Sequence, residues 1–597
     1  MAQLEENSEP VSFEIKIDGS VIDGSIEVIS ITVEQEINRI TNAVIKIADG
    51  GSFGLVNEPF ANSNGDNFIP GKEIEINLGY ADDRSLAFKG VVVSQRLIVK
   101  KNSSYIQVLC KDKSFLLTKT RSNAILDQQA DSDLFSAMAS TTGVSISSDP
   151  LTTYPYPVVQ HNCTDWDFLV IRSEVSNCYV CTSENSISIK KFDFGTASDI
   201  TISADLVVIE VDLDLNGENL FSEFEFTGWD QSTQAVILET GSLSDSLSQG
   251  NLTANSISGS LSIPKMSKYT SGKVGSEEFK TYSDSWISKS VLSKIQGKVK
   301  VVGTTSIKAG DFVELSNFSD RFNGKGFVSK VFQELIDGQW STTIYLGSNS
   351  RWHSSLPDID DNKAIGLTPS AAGYQIGVVT KIDSDPDNEF RVELQLPAFN
   401  NSNSENKIWA RLAFPYASAD AGFFFFPEIG DEVLVNFLGN DPRFPVITGS
   451  LYSSINKPKE TPSENNEIKS IYSKSGISIT FEDEQKILTV KTPDGHEVVL
   501  SDQDKNIKLT DVNGNTMTMD ESGIALSSPK DITIEATGDI KMSATGTIDL
   551  SATSDLKGSG MNVEMSADTG FKASGNASAE LSASGQTTVK GAMVMIN

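Results

Sequence analysis

The feature that most restricts this chain is a short repeat in its C-terminal part. Asp-Ile-Thr-Ile-Glu-Ala-Thr-Gly (531–538) is followed by Asp-Ile-Lys-Met-Ser-Ala-Thr-Gly (539–546) and Thr-Ile-Asp-Leu-Ser-Ala-Thr-Ser (547–554). After a one-residue slip near Met561 it resumes as Val-Glu-Met-Ser-Ala-Asp-Thr-Gly (563–570). Each unit of about eight residues reads as a short strand of alternating polarity and a small-residue turn. Alternation puts Ile532, Ile534, Ile540, Met542, Ile548 and Leu550 on one side. Fully burying each such residue stabilises by roughly 1.5–3 kcal/mol, so that side needs a cover. Eight residues cannot wrap round to cover themselves, since single-chain solenoids use about 20 or more per turn. Three intertwined chains, each supplying one side of a triangular prism, do cover it, and closure by symmetry removes exposed strand edges. The repeat therefore predicts a homotrimeric, triple-stranded intertwined β-helix, a needle over 471–597, with those six residues in its core. The alternative, a disordered Ser/Thr/Gly tail, fits the regular apolar alternation poorly. Upstream, Asp494-Gly495 and Asp511-Val512-Asn513-Gly514-Asn515 mark turns of longer, hairpin-like units.

The rest of the chain also reads as mainly β. Glu73–Leu78 alternates as a half-buried strand does, and Phe88–Val93 and Ser104–Leu109 follow between turn residues. A helix is predicted over Asp165–Val175 with Thr164 as its N-cap, and another over Ser283–Gln296. Residues 230–262 are rich in Ser, Gly, Thr and Asn and read as a loosely ordered or polar β segment. Pro, Asp and Asn cluster at 355–372, a domain boundary. Beyond it, 372–455 holds several short strands and Gly-rich turns, which suits a small closed barrel. Phe423–Phe426 read as strand residues buried on both sides. A polar linker, 456–470, precedes the needle.

Composition excludes more than it selects. With 80 Asp and Glu against 48 Lys and Arg the net charge is −32, which repels phosphate and argues against nucleic-acid binding. No apolar run approaches the roughly 20 residues of a membrane helix. The acidic start, Met-Ala-Gln-Leu-Glu-Glu, lacks a signal-peptide layout and predicts synthesis in the cytoplasm without one. His161, Cys163, Cys178 and Cys181 offer zinc-type ligands, but Cys178 and Cys181, three apart on a predicted strand, point to opposite faces. Reduced, buried thiols are the expectation, with no metal and no cofactor. The three histidines, His161, His353 and His496, are scattered, and no nucleophile motif stands in a strand–turn–helix context. Glu428, Asp431 and Glu432 read as turn-formers. The expectation is a chain that is not an enzyme.

Longer motifs carry a resemblance. Trp409-Ala410-Arg411-Leu412-Ala413-Phe414-Pro415-Tyr416, then Gly422 through Val435, then Asp441-Pro442-Arg443-Phe444-Pro445-Val446-Ile447-Thr448-Gly449-Ser450-Leu451-Tyr452, closely resemble the OB-fold domain of VgrG-type spike proteins. Thr164–Leu169, Phe88-Lys89-Gly90 and Phe322-Asn323-Gly324 resemble marks of that family's N-terminal hub. The resemblance implies a hub of two related β barrels with few helices over 1–365, six barrels in the trimer, docking a hexameric inner tube protein. It implies an OB-fold domain over 372–455 and a needle ending in Met593, Val594, Met595, Ile596 and Asn597, where a PAAR-type cap protein would sit. The implied function is the central spike of a contractile injection system: seated among baseplate proteins, then delivered outward as sheath contraction drives it through a target membrane. On this reading the linker is too short for the lysozyme domain of some family members, a spike without a toxic extension is expected, and with His496 the last histidine an apical histidine–iron site is not expected. Type VI secretion, an extracellular particle and a phage tail remain open, as do cargo and target. A β-helical polysaccharide-degrading tailspike and a trimeric adhesin are the alternatives.

Overall fold

The computed structural model describes residues 2–4, 9–50, 60–101, 103–126, 131–140, 142–149, 151, 158–198, 200–242, 247–272, 274–399 and 407–596. The chain divides into two compact units, residues 1–451 and 452–597.

Strand alternation builds the first lobe of the N-terminal unit. Asn42–Ala48 buries Ala43, Ile45 and Ile47, and Ser103–Lys111 buries Ile106, Val108 and Cys110. Val28–Glu36, Asn42–Ala48, Ser103–Lys111, Asp83–Lys100, Glu73–Tyr80 and Val11–Ile17 pair antiparallel in that order around this core. A second lobe pairs Val208–Leu215, Ile295–Val302, Gln339–Leu346 and Gly324–Ile336 around Val299, Val301, Val328 and Ile344. The 13-residue strand Gly324–Ile336 joins the lobes, pairing with Phe312–Ser316 at its start and Val28–Glu36 at its end. The two expected barrels are thus two lobes of one 14-stranded sheet, each with its own core.

Two glycines of the hub motifs have packing reasons. A Cβ on Gly90 would lie 2.3 Å from the Lys111 carbonyl oxygen. One on Gly324, held at φ +105°, would lie 2.2 Å from that of Ser248.

Asp165–Val175 is helical as expected, and the Thr164 hydroxyl accepts from the Asp167 N–H at 3.1 Å. The second helix differs from the expectation. It spans Ser276–Leu292, because Phe279 and Trp286 bury against Phe224 and Phe226 and because the strand Ile295–Val302 takes over at once. Within 230–262 the polar composition conceals a strand, Ala235–Ser242, and a helix, Ala254–Ser260, capped by Thr253.

A buried polar cluster ties the two longer helices to the lobes. Glu174 accepts from Lys289 Nζ (2.8 Å), Asn38 Nδ2 (3.1 Å) and the His353 N–H (2.8 Å). His353 Nε2 lies 2.9 Å from Asp167 Oδ1. The zinc-type ligands are not gathered. Cys178 packs with Trp166 and Leu169, Cys181 packs in another core with Phe312 and Phe327, and His161 is exposed. Burial pushes both thiols up to about 12, away from the thiolate that a metal needs.

Residues 375–450 form a closed five-stranded barrel around Val379, Val392, Leu394, Val433, Val435 and Ile447. Glu428 and Asp431 make a turn, the Asp431 carboxylate accepting from the Glu428 N–H at 2.8 Å. Phe423–Phe426 correct the expectation of burial. The run follows the strand Ala421–Gly422 without joining a ladder, and only Phe426 packs on the barrel core. Phe424 is 81% exposed, with Phe423 and Phe425 exposed beside it.

Candidate assembly interface in the C-terminal unit

Seven strands make an antiparallel meander: Ile468–Tyr472, Ser478–Glu482, Ile487–Lys491, Glu497–Ser501, Asn506–Thr510, Thr516–Asp520 and Gly523–Ser527. The first begins inside the stretch expected to be linker. Asx turns set the hairpins. At 511–515 the Asp511 carboxylate accepts from the N–H groups of Asn513 (3.0 Å) and Asn515 (2.8 Å) and from both amide side chains. Those bonds, with Asn515's side chain foremost, hold the Asp511 carboxyl down to about 2.

The register sorts the side chains onto two faces. Directly paired residues share a face, so one row across the sheet runs Ile471, Ile479, Val490, Val498, Leu509, Met517, Leu526. The parallel row on the same face runs Lys469, Phe481, Leu488, Leu500, Ile507, Met519, Ile524. Between them, on the opposite face, lie Ser470, Thr480, Thr489, Val499, Lys508, Thr518 and Ala525. One face is apolar almost throughout; the other is mostly polar. A groove of about 590 Å³ on the unit is lined by Val490, Val498, Leu509, Met517, Leu526 and Ile532, among others. Yet the buried side chains among the described residues of this unit are Ser478 and Ser501, and none is apolar. A sheet that leaves its apolar side chains at best half-buried by its own chain lacks much of the burial that stabilises a fold.

Beyond Ser527 the described residues carry no strand or helix, and 531–596 make no backbone–backbone hydrogen bond, so the short strands expected in the repeat are not formed in the single chain. Bends fall at 537–538, 545–546, 553–554, 561, 568–569, 576–577, 584–585 and 592. The sequence period therefore continues past residue 570, and the slip near Met561 is one seven-residue unit, 555–561. The predicted core residues Ile532, Ile534, Ile540, Met542, Ile548 and Leu550 are 51–68% exposed in the single chain. Val563 and Met565, in the unit already quoted, are exposed too, as are Phe571, Leu581 and Val589 of later units, which the sequence reading did not reach because Ala or Thr stands at one of the two alternating positions in each. Met593, Val594, Met595 and Ile596 are exposed as well, and Asn597 lies outside the described residues. Backbone with unpaired N–H and C=O groups and an uncovered apolar column has two ways to be satisfied: water, or other chains.

Residues 7–337 match the family described as the Alg8 N-terminal domain, which is more than half of the chain. The chain belongs to that family. Within this Alg8-family chain, residues 375–452 match the type VI secretion system/phage-baseplate injector OB domain, which coincides with the closed barrel. The type VI secretion system spike protein VgrG1a of Pseudomonas aeruginosa is 28% identical over 206 residues, 32% of this chain and 30% of its own length. The actin cross-linking toxin VgrG1 of Vibrio cholerae is 34% identical over 98 residues, 16% of this chain and 9% of its own. These curated relatives are thus matched over less than a third of their length. A prophage MuSo2 43 kDa tail protein from Shewanella oneidensis is similar in structure, with a TM-score of 0.43 at 11% identity over 57% of this chain and 98% of that one. The relatives and the OB domain bear out the resemblance to VgrG-type spike proteins. Among the described residues, no helix is long and apolar enough to cross a membrane.

Proposed function

We propose that this chain is the central spike of a contractile injection system and acts as a homotrimer. The observation that carries the reading is the C-terminal unit, whose meander turns one apolar face outward and whose eight-residue units leave an apolar column and their backbone unpaired. Three copies related by a threefold axis would cover that face, satisfy the backbone and close the sheet edges. A rigid prism of this kind transmits force along its length, which suits a part that pierces. The N-terminal lobes would dock a hexameric inner tube protein among baseplate proteins, six lobes in the trimer facing six subunits. Met593–Asn597 would receive a PAAR-type cap protein. The role is mechanical rather than enzymatic: made in the cytoplasm, seated in the baseplate, then driven through a target membrane on firing.

Light scattering of the full chain beside one ending near residue 460 tests this. The expected result is a mass of three times 64.5 kDa for the full chain, with the trimer weakened or lost on truncation. A folded, monomeric full chain would overturn the proposal.

A further inference from the structure

The side of the repeat that faces away from the apolar column carries a second pattern. The residue between the two core positions of each unit points the other way, and these residues are Thr533, Lys541, Asp549, Lys557, Glu564, Lys572, Glu580 and Thr588. From Lys541 to Glu580 all six are charged and the sign alternates at every step, in a chain where acids outnumber bases 80 to 48. All six are exposed. Within the single chain, Lys541 and Lys557 meet Asp539 (3.2 Å) and Asp555 (2.9 Å) of their own units, and among the described residues none of the six pairs with the next unit.

What lies beside each unit follows from the proposed trimer, on which this inference rests. Successive units of one chain make no backbone hydrogen bonds with each other, so the neighbouring strand on each face of the prism belongs to another copy. Threefold symmetry puts the same unit of the next copy at the same height on the next face. As a chain turns onto that face it climbs by one unit, so unit n+1 of one copy lies beside unit n of its neighbour. Alternation along the sequence thereby becomes opposite charge between adjacent strands of different copies: Lys541 beside Asp549, Asp549 beside Lys557, and so on to Lys572 beside Glu580.

We propose that these six residues form an interchain charge ladder whose partner is a second copy of this chain, and that it holds the three chains in register. The apolar column cannot do this alone, because Ile, Leu, Met or Val recurs in nearly every unit and a slip by one unit still meets apolar side chains. The same slip sets Lys beside Lys and carboxylate beside carboxylate along the whole ladder. Opposite charges across a strand pair stabilise and like charges destabilise, so the ladder penalises the wrong register more than it strengthens the right one.

Two variants of the full chain test it. Lys541→Glu, Lys557→Glu and Lys572→Glu together make all six positions acidic. Adding Asp549→Lys, Glu564→Lys and Glu580→Lys inverts every sign and restores alternation. At about 0.05 M salt the triple variant is expected to dissociate several degrees below the wild type, or to lose the trimer by light scattering, while the sixfold variant matches the wild type. Near 1 M salt, where the screening length is about 3 Å, the gap should shrink. A triple variant as stable as the wild type would overturn the ladder while leaving the trimer standing. So would a sixfold variant that stays as weak as the triple one. A monomeric wild type would remove the trimer itself, and the ladder with it.

Discussion

At the residue scale, Asp167 shows how one side chain does two jobs in the N-terminal unit. It sits in the first turn of the helix Asp165–Val175, bonds Thr164 and meets His353 Nε2 across the fold. Burial would raise its pKa, but the hydrogen bonds from His353 and Thr164 outweigh it and hold the carboxyl below its usual value. A group depressed in the folded state contributes stability that is present above its unfolded pKa, near 3.9, and is lost as pH falls through the folded value. Asp167→Asn should therefore lower stability at neutral pH and lose less than the wild type on acidification from about pH 5 to below 3. Urea unfolding of the two chains across that range measures it; parallel curves would show that the carboxylate contributes nothing there.

At the scale of the element, the repeat unit is where one substitution reaches three chains. Ile540 lies second in its unit, on the apolar column, and is exposed in the single chain. Ile540→Asp would remove roughly 1.5–3 kcal/mol of apolar burial in each copy before any cost of enclosing three carboxylates in one layer. The expected outcome is loss of the trimer by light scattering, with the N-terminal unit still folded by near-UV circular dichroism. Trimers of unchanged melting would show that the column is not enclosed. The Phe423–Phe425 run makes the converse point. Four consecutive phenylalanines read as a buried strand, yet burial needs a partner on each side, and the barrel supplies one for Phe426 alone.

For the whole molecule, the two units divide the work between covered and uncovered surface. The N-terminal unit buries several apolar cores within one chain, while among the described residues the C-terminal unit buries none. On the proposed reading, assembly is concentrated in the second unit, and its last residues are left to a partner once the column is closed. Removing Met593–Asn597 should leave the trimer mass unchanged and abolish binding of a PAAR-type cap protein, measured by pull-down with the purified cap. Retained binding would place the cap elsewhere.

The sequence by itself determined the strands of the N-terminal unit, the Asp165–Val175 helix, the barrel segment and the apolar alternation of the repeat, because those depend on local alternation, capping and turn chemistry; the short strands expected within the repeat itself are not formed in the single chain. It also carried the opposite orientation of Cys178 and Cys181, a consequence of strand period alone. Only the tertiary structure decided that the N-terminal unit's two lobes share Gly324–Ile336, that Ser276–Leu292 starts ahead of the helix expected from the sequence, and that Phe423–Phe425 stand outside the barrel. Each of those turns on which distant segment supplies a neighbour. The meander's apolar face lies between the two cases. Its alternation is written in every strand, but the register that gathers seven strands' apolar residues onto one side exists only once the hairpins pair.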